Sequence, residues 1–393
     1  MRRVNRWSRP RLGAWLIFGL ALSVTACSSS ARPSASAVRA SATASPAHFP
    51  ACQVVSRSES APVGPTASGT LRTIATGLDQ PDDLLFASGT LLVAVLGSGH
   101  IEAFAAGRAP AQLSVHIPAV EGMAVIGTQL YAAGQIQDVV DRVSGAQLTS
   151  VLKLNPVPGQ DGVDGIGAQG GELVVPDSPR GLIDWVDPET GHITKQIGGF
   201  VRPTGVWAAA DGSLLVADEY GNAAIRIGAD GSRTYLARNL PIVDDIAQDS
   251  VGAIFVVTPA ASGGRLVQLL GSRTNDLADH LKAPQGLALD QADNLYFSEE
   301  DAGRVDLLIR TFKLIPLSAI SDSATQPVCI DVQRAIGFTG SIELHPSSGL
   351  QVVRQPGLGT RGAILVTGCR NQACQLIASS GARIDLLWIR AQG

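Results

Sequence analysis

Pro203-Thr204-Gly205-Val206-Trp207-Ala208-Ala209-Ala210-Asp211-Gly212-Ser213-Leu214-Leu215-Val216-Ala217-Asp218 decides the fold. Two short apolar runs flank an Asp-Gly turn, which is the signature of two strands in a hairpin. The same order returns at Pro284-Gln285-Gly286-Leu287, followed by Leu295-Tyr296-Phe297-Ser298. Looser copies stand at Pro81-Asp82-Asp83-Leu84, Val120-Glu121-Gly122-Met123, Val163-Asp164-Gly165-Ile166 and Val243-Asp244-Asp245-Ile246. Their third members are residues 83, 122, 165, 205, 245 and 286, spaced by 39, 43, 40, 40 and 41. A period near forty residues holding four short strands is one propeller blade. Within a period, Ala224-Ile225-Arg226-Ile227 and Arg233-Thr234-Tyr235-Leu236 supply the third and fourth strands.

A seventh unit is expected at the C-terminus, because Leu376 through Arg390 resembles Leu295 through Arg310 with one gap. On that alignment Arg361 takes the motif position, and residues 313–348 are an insertion between the last two blades. The last blade then lacks a fourth strand, and Thr70-Leu71-Arg72-Thr73-Ile74-Ala75 has the character to supply it. Such a closure hides both sheet edges. The expected fold is therefore an all-β propeller of seven blades. Six blades with residues 310–393 as an added cap is the alternative.

These motifs resemble the NHL/SMP-30-like propeller superfamily, most closely over Pro203–Asp218 and Pro284–Ser298. The resemblance covers roughly residues 70–310 and implies fold more than function. In a propeller, the residue before the motif glycine opens the innermost strand and faces one mouth of the central channel. Here those residues are Asp82, Glu121, Asp164, Thr204, Asp244, Gln285 and Arg361. Converging carboxylates are costly unless solvated, protonated or paired with a cation, and Ca²⁺ suits an oxygen ring. The resemblance implies a divalent metal held by a Glu, an Asn and an Asp, with the Asp also acting as general base. Asp244 matches that Asp, Thr204 stands where Asn is expected, and Asp82 replaces the first Glu, with Glu121 one blade on. Candidate metal ligands are thus Asp82, Glu121, Asp164 and Asp244. The plainer alternative is that these carboxylates accept backbone N–H bonds around a wet channel.

The N-terminus reads as an address. Arg2, Arg3, Arg6, Arg9 and Arg11 precede an apolar run from Leu12 to Val24, too short to span a bilayer comfortably. Val24-Thr25-Ala26-Cys27 resembles the lipobox of bacterial lipoproteins. That implies a signal peptide over residues 1–26, lipid on Cys27 and a chain anchored on the extracytoplasmic face of a cell membrane. Residues 28–48 are almost wholly Ser, Ala, Pro, Thr and Arg, so 27–50 reads as a disordered tether before a folded domain over 51–393.

With Cys27 lipidated, four of the five cysteines remain, and export favours disulfides. Spacing favours Cys369–Cys374 and Cys52–Cys329 among three possible pairings. The net charge of −4 offers no attraction to nucleic acid. No HExxH, G-x-S-x-G or P-loop is present. The acidic turns Asp218-Glu219 and Glu299-Glu300-Asp301 read as solvated loops, and Trp185, Trp207 and Trp388 as packing residues. Two functions fit: a module binding a protein, glycan or small-molecule partner, or a divalent-metal-dependent lactonase or other hydrolase in which Asp244 is the base.

Overall fold

The structure is a computed structural model. It describes residues 70–260, 263–317, 319–320, 328–335, 338–348, 350–354, 362–367 and 373–390. Cys27, Cys52, Arg361 and Cys369, with the expected signal peptide and tether, lie outside them.

The described chain is all-β save two short 3₁₀ turns, as the sequence predicts. Five four-stranded antiparallel sheets follow in chain order, from Pro81–Gln112 to Ile246–Leu281. Each starts within three residues of a repeat motif. The innermost strands Pro81–Ala87, Val120–Ile126, Gly167–Gln169, Pro203–Ala208, Ile246–Gln248 and Leu287–Leu289 touch in sequence, and the last touches the first. They are the inner strands of blades 1 to 6 of a closed ring. Buried clusters fill the gaps between blades; Leu215, Ala217 and Ala224 of blade 4 meet Ile246, Val256 and Val267 of blade 5.

The motif glycines make this packing possible. A Cβ on Gly122 would lie 2.5 Å from both the Asp164 carbonyl oxygen and the Ile166 nitrogen in the next blade. No side chain fits at that contact.

The expected seventh blade does not form. Thr70–Thr76 pairs antiparallel with Arg304–Ile309, from Thr70 opposite Ile309 to Thr76 opposite Arg304. The N-terminal strand therefore completes the sixth sheet, and the ring shuts one blade earlier than the repeat count suggests. The C-terminal copy is a genuine hairpin, Cys374–Ser380 with Arg383–Arg390, but its outer partner is Glu343–Pro346. Period-2 alternation around a Gly turn specifies a hairpin, not the sheet it joins.

Residues after 311 build two sheets of their own. One orders Phe312–Pro316, Val328–Arg334, Gly362–Thr367 and Gln351–Arg354; the other orders Glu343–Pro346, Cys374–Ser380 and Arg383–Arg390. Phe312, Leu314 and Ile330 of the first pack with Leu376, Ala378, Leu387 and Ile389 of the second in one core, which includes Ala292 of blade 6. Residues 313–348, read as an insertion, supply strands to both sheets. This C-terminal unit docks on the Asp290-Gln291-Ala292-Asp293-Asn294 turn. Lys313 Nζ lies 2.8 Å from both Asp290 Oδ2 and Asp385 Oδ1, Arg383 Nε lies 2.7 Å from Asp293 Oδ2, and the Ile384 N–H donates to the Gln291 carbonyl.

Candidate functional site: the channel mouth

Asp82, Glu121 and Thr204 fall within the inner strands of blades 1, 2 and 4; Asp164, Asp244 and Gln285 stand just before those of blades 3, 5 and 6. Asp82, Glu121, Asp164 and Thr204 are buried, and Asp244 and Gln285 half-buried. The four carboxylates act on one another electrostatically. Burial lifts Glu121 well above the usual carboxylate range, and the charges of Asp164, Asp82 and Asp244 lift it further. Asp82 and Asp244 are pushed up in the same way, first by burial and then by Asp164. Burial also raises Asp164, although a guanidinium is beside it.

That guanidinium belongs to Arg202. Its Nη2 lies 2.9 Å from Asp164 Oδ2 and its Nε 2.6 Å from Glu219 Oε2. Burial holds Glu219 at about 7 despite this pairing. Opposite chemistry occurs in blade 6, where Gln285 Nε2 and Gln80 Nε2 each donate to Glu300 at 2.7 Å. Thr204 donates its hydroxyl proton to the Asp244 carbonyl at 2.6 Å, so it tethers blade 4 to blade 5.

The backbone-capping role expected for the ring belongs mainly to the next residue along. Asp83 accepts from the Leu84 N–H at 2.7 Å and from Met123 of blade 2 at 2.6 Å. Asp245 accepts from Ile246 at 2.7 Å and from Leu287 of blade 6 at 2.8 Å. Both stitch their blade to the next. Burial raises both, Asp245 to about 7. The signal for them was in the repeat: they stand where the other four copies have glycine.

The acidic turns are not solvated loops. Asp218 is buried and accepts from the Val201 and Arg202 N–H groups, at 3.0 and 2.8 Å to Oδ1. Glu299 is buried, accepts from Lys282 at 2.6 Å and pairs with Arg304. These side chains brace the loop entering each inner strand, while the following residues, Glu219 and Glu300, reach the mouth. Trp185 packs as expected, its indole N–H donating to Gln169 at 3.0 Å, and Trp207 packs between the cores of blades 4, 5 and 6.

Among the described residues, no three His, Cys, Asp or Glu side chains are close enough to hold a metal ion. The ring acids influence one another electrostatically without forming such a group, so the ligand set implied by the resemblance is not assembled as a metal centre. A cavity of about 310 Å³ lies along the inner strands, lined by Asp83, Leu85, Met123, Val206, Trp207 and Asp245 among others.

No family profile and no curated protein matches the sequence. Solved structures do resemble it. A luciferin-regenerating enzyme aligns with a TM-score of 0.50 at 11% identity, over 61% of this chain and 95% of that one. A putative gluconolactonase aligns at 0.48 and 17% identity, over 62% and 92%, and a streptogramin B lyase at 0.48 and 11%, over 61% and 97%. The likeness is one of fold. It places the chain among propeller proteins, and at these identities it carries no activity across.

Proposed function

We propose that this chain is a binding module whose ligand enters the channel mouth, held outside a cell membrane by lipid on Cys27. One observation carries the binding reading. At the mouth Asp82, Glu121 and Asp164 are buried and Asp244 half-buried, and of these four only Asp164 is ion-paired among the described residues. Buried charges left without partners are characteristic of sites rather than scaffolds. The lipobox-like Val24–Cys27 and the tether composition support the anchored placement, and cysteine spacing supports pairs Cys52–Cys329 and Cys369–Cys374.

A metal-dependent hydrolase using Asp244 is the second reading. The raised affinity of Asp244 for a proton favours it; the open spacing of the carboxylates weighs against its metal. The two separate in one set of measurements on the full chain. Under the binding reading, Ca²⁺ to millimolar leaves the melting temperature unchanged and Asp244→Asn leaves any lactone hydrolysis at background. A Ca²⁺-dependent rise in melting temperature together with turnover lost in Asp244→Asn would reverse the order. Cys27→Ala should move the protein from the membrane fraction to the soluble one, since the only acyl anchor is removed.

A further inference from the structure

A second cavity, of about 390 Å³, lies where blade 1, blade 6 and the C-terminal unit meet, and none of the mouth residues lines it. Two rows of side chains form its walls. In blade 1, Phe86 stands opposite Leu91, and Leu91 opposite Phe104. In blade 6, Tyr296 stands opposite Leu307, and Leu307 opposite Arg72. Residues directly opposite in neighbouring strands share a face, and all six line the cavity. The rows meet at their inner ends, where the Phe86 and Tyr296 rings lie 5.3 Å apart. Lys313 Nζ lies 5.7 Å from both ring centroids, a cation–π contact that orients them. Blades radiate from the axis, so the gap between the rows widens outward. Arg72 ends the blade 6 row on the outermost strand, two strand spacings or about 10 Å from Tyr296.

Charge selects what fits. Two carboxylates line the cavity, Asp290 and Asp385, and Lys313 already holds both at 2.8 Å. A cationic ligand therefore meets acids that are compensated. The other charged side chains of the lining, Arg72 and Arg108, are both cations. Arg72 donates through Nη1 to Gln333 Oε1 at 3.0 Å. A guanidinium carries five N–H donors in a planar fork, so it serves a protein acceptor and a ligand carboxylate together. The inner end of the cavity, with two aromatic rings, Leu91 and Leu307, rewards a flat apolar body. The volume suits a small molecule, and a short chain with the arginine side chain spans the distance between the two ends.

We propose that this cavity binds a small aromatic carboxylate, with its ring against Phe86 and Tyr296 and its carboxylate on Arg72. The site goes beyond the channel-mouth reading and does not rest on it. 3-Phenylpropionate is the probe, with 3-phenylpropanol and 3-phenylpropylamine as neutral and cationic counterparts of nearly the same size. Each is titrated calorimetrically into the full chain, Arg72→Met, Arg72→Lys and Phe104→Ala. In the parent the acid should bind saturably, the alcohol at least tenfold more weakly and the amine not at all. Arg72→Met should weaken the acid at least tenfold and leave the alcohol unchanged, which separates loss of the charge from loss of the pocket. Arg72→Lys should restore part of the affinity for the acid, and Phe104→Ala should weaken acid and alcohol alike. Equal binding of the three probes by the parent overturns the charge assignment. Acid binding that neither Arg72→Met nor Phe104→Ala alters, or no binding of the acid to the parent, overturns the site.

Discussion

Two of the carboxylate groups among the described residues are built oppositely. At the junction with the C-terminal unit, Lys313 lies between Asp290 and Asp385 at 2.8 Å from each. Asp290 also accepts from the Ala292 and Asn294 N–H groups, and Asp385 from Leu314. Burial works against the Lys313 charge, yet the two carboxylates hold its proton more tightly than in a free lysine. At the mouth, burial is comparable, but one arginine serves the ring from one side and Glu121 Oε2 is left without a donor. A buried charge with full compensation holds a structure together. A buried charge without it is tolerated for some other purpose.

The comparison breaks first at Lys313. Lys313→Met removes the cation and strands two buried carboxylates, a loss of about 3–5 kcal/mol in denaturant unfolding. Adding Asp385→Asn to that variant should recover part of the loss by removing one stranded charge. If Lys313→Met costs under about 1 kcal/mol, the junction is no better compensated than the mouth.

A smaller effect is expected from pH. The mouth acids are held above their unfolded values, Asp245 and Glu219 at about 7, against roughly 4 in an unfolded chain. Between those limits the folded protein carries more protons than the unfolded one, so stability falls as pH rises. Their contribution is fully present below about 4 and lost through about 7. The exposed turn acids Asp187, Asp211 and Asp230 are held low by backbone or side-chain hydrogen bonds and act in reverse, losing their contribution as pH falls below about 4. Melting temperature should therefore be highest near about pH 4 and decline toward pH 8. Glu121→Gln with Asp244→Asn should flatten that decline; an unchanged slope would place the titrating groups elsewhere.

The stitching residues come next. Asp245→Ala leaves the Leu287 and Ile246 N–H groups without their acceptor, a cost of about 1–3 kcal/mol offset in part by relieved repulsion. Thermal unfolding at pH 5 and pH 8 separates the two contributions, because the relief exists only while the neighbouring acids are ionised.

What the sequence made legible follows from what repeats. The blade period was readable because four of the six inner strands keep a glycine at the same close approach, Gly122, Gly165, Gly205 and Gly286, while Asp83 and Asp245 hold that position in the other two. The mouth residues were readable as the positions before those glycines, and burial with mutual repulsion raises the four acids among them. The cap was not readable, because Leu376–Arg390 copies the pattern of a blade hairpin while pairing with Glu343–Pro346. Strand alternation encodes which face is buried, not which neighbour is chosen. Glu219 and Glu300 were passed over for a related reason: they reach the mouth from acidic turns that look like ordinary solvated surface, and Arg202 stands outside the repeat motif.

The smallest expected effect is the most discriminating. Glu121→Gln keeps shape and volume, removes one negative charge from a repelling ring and supplies an amide that can donate. If Glu121 were a structural cap, the change would weaken a hydrogen bond and lower stability by about 0.5–1.5 kcal/mol. No donor reaches its Oε2, so that loss has no source. The expected result is a melting temperature unchanged or slightly raised, with the gain larger at pH 8 than at pH 5, because burial and the neighbouring acids raise the proton affinity of the parent glutamate. A measurable loss at both pH values would make Glu121 a structural carboxylate of the same kind as Asp290, and the contrast between the two clusters would be gone.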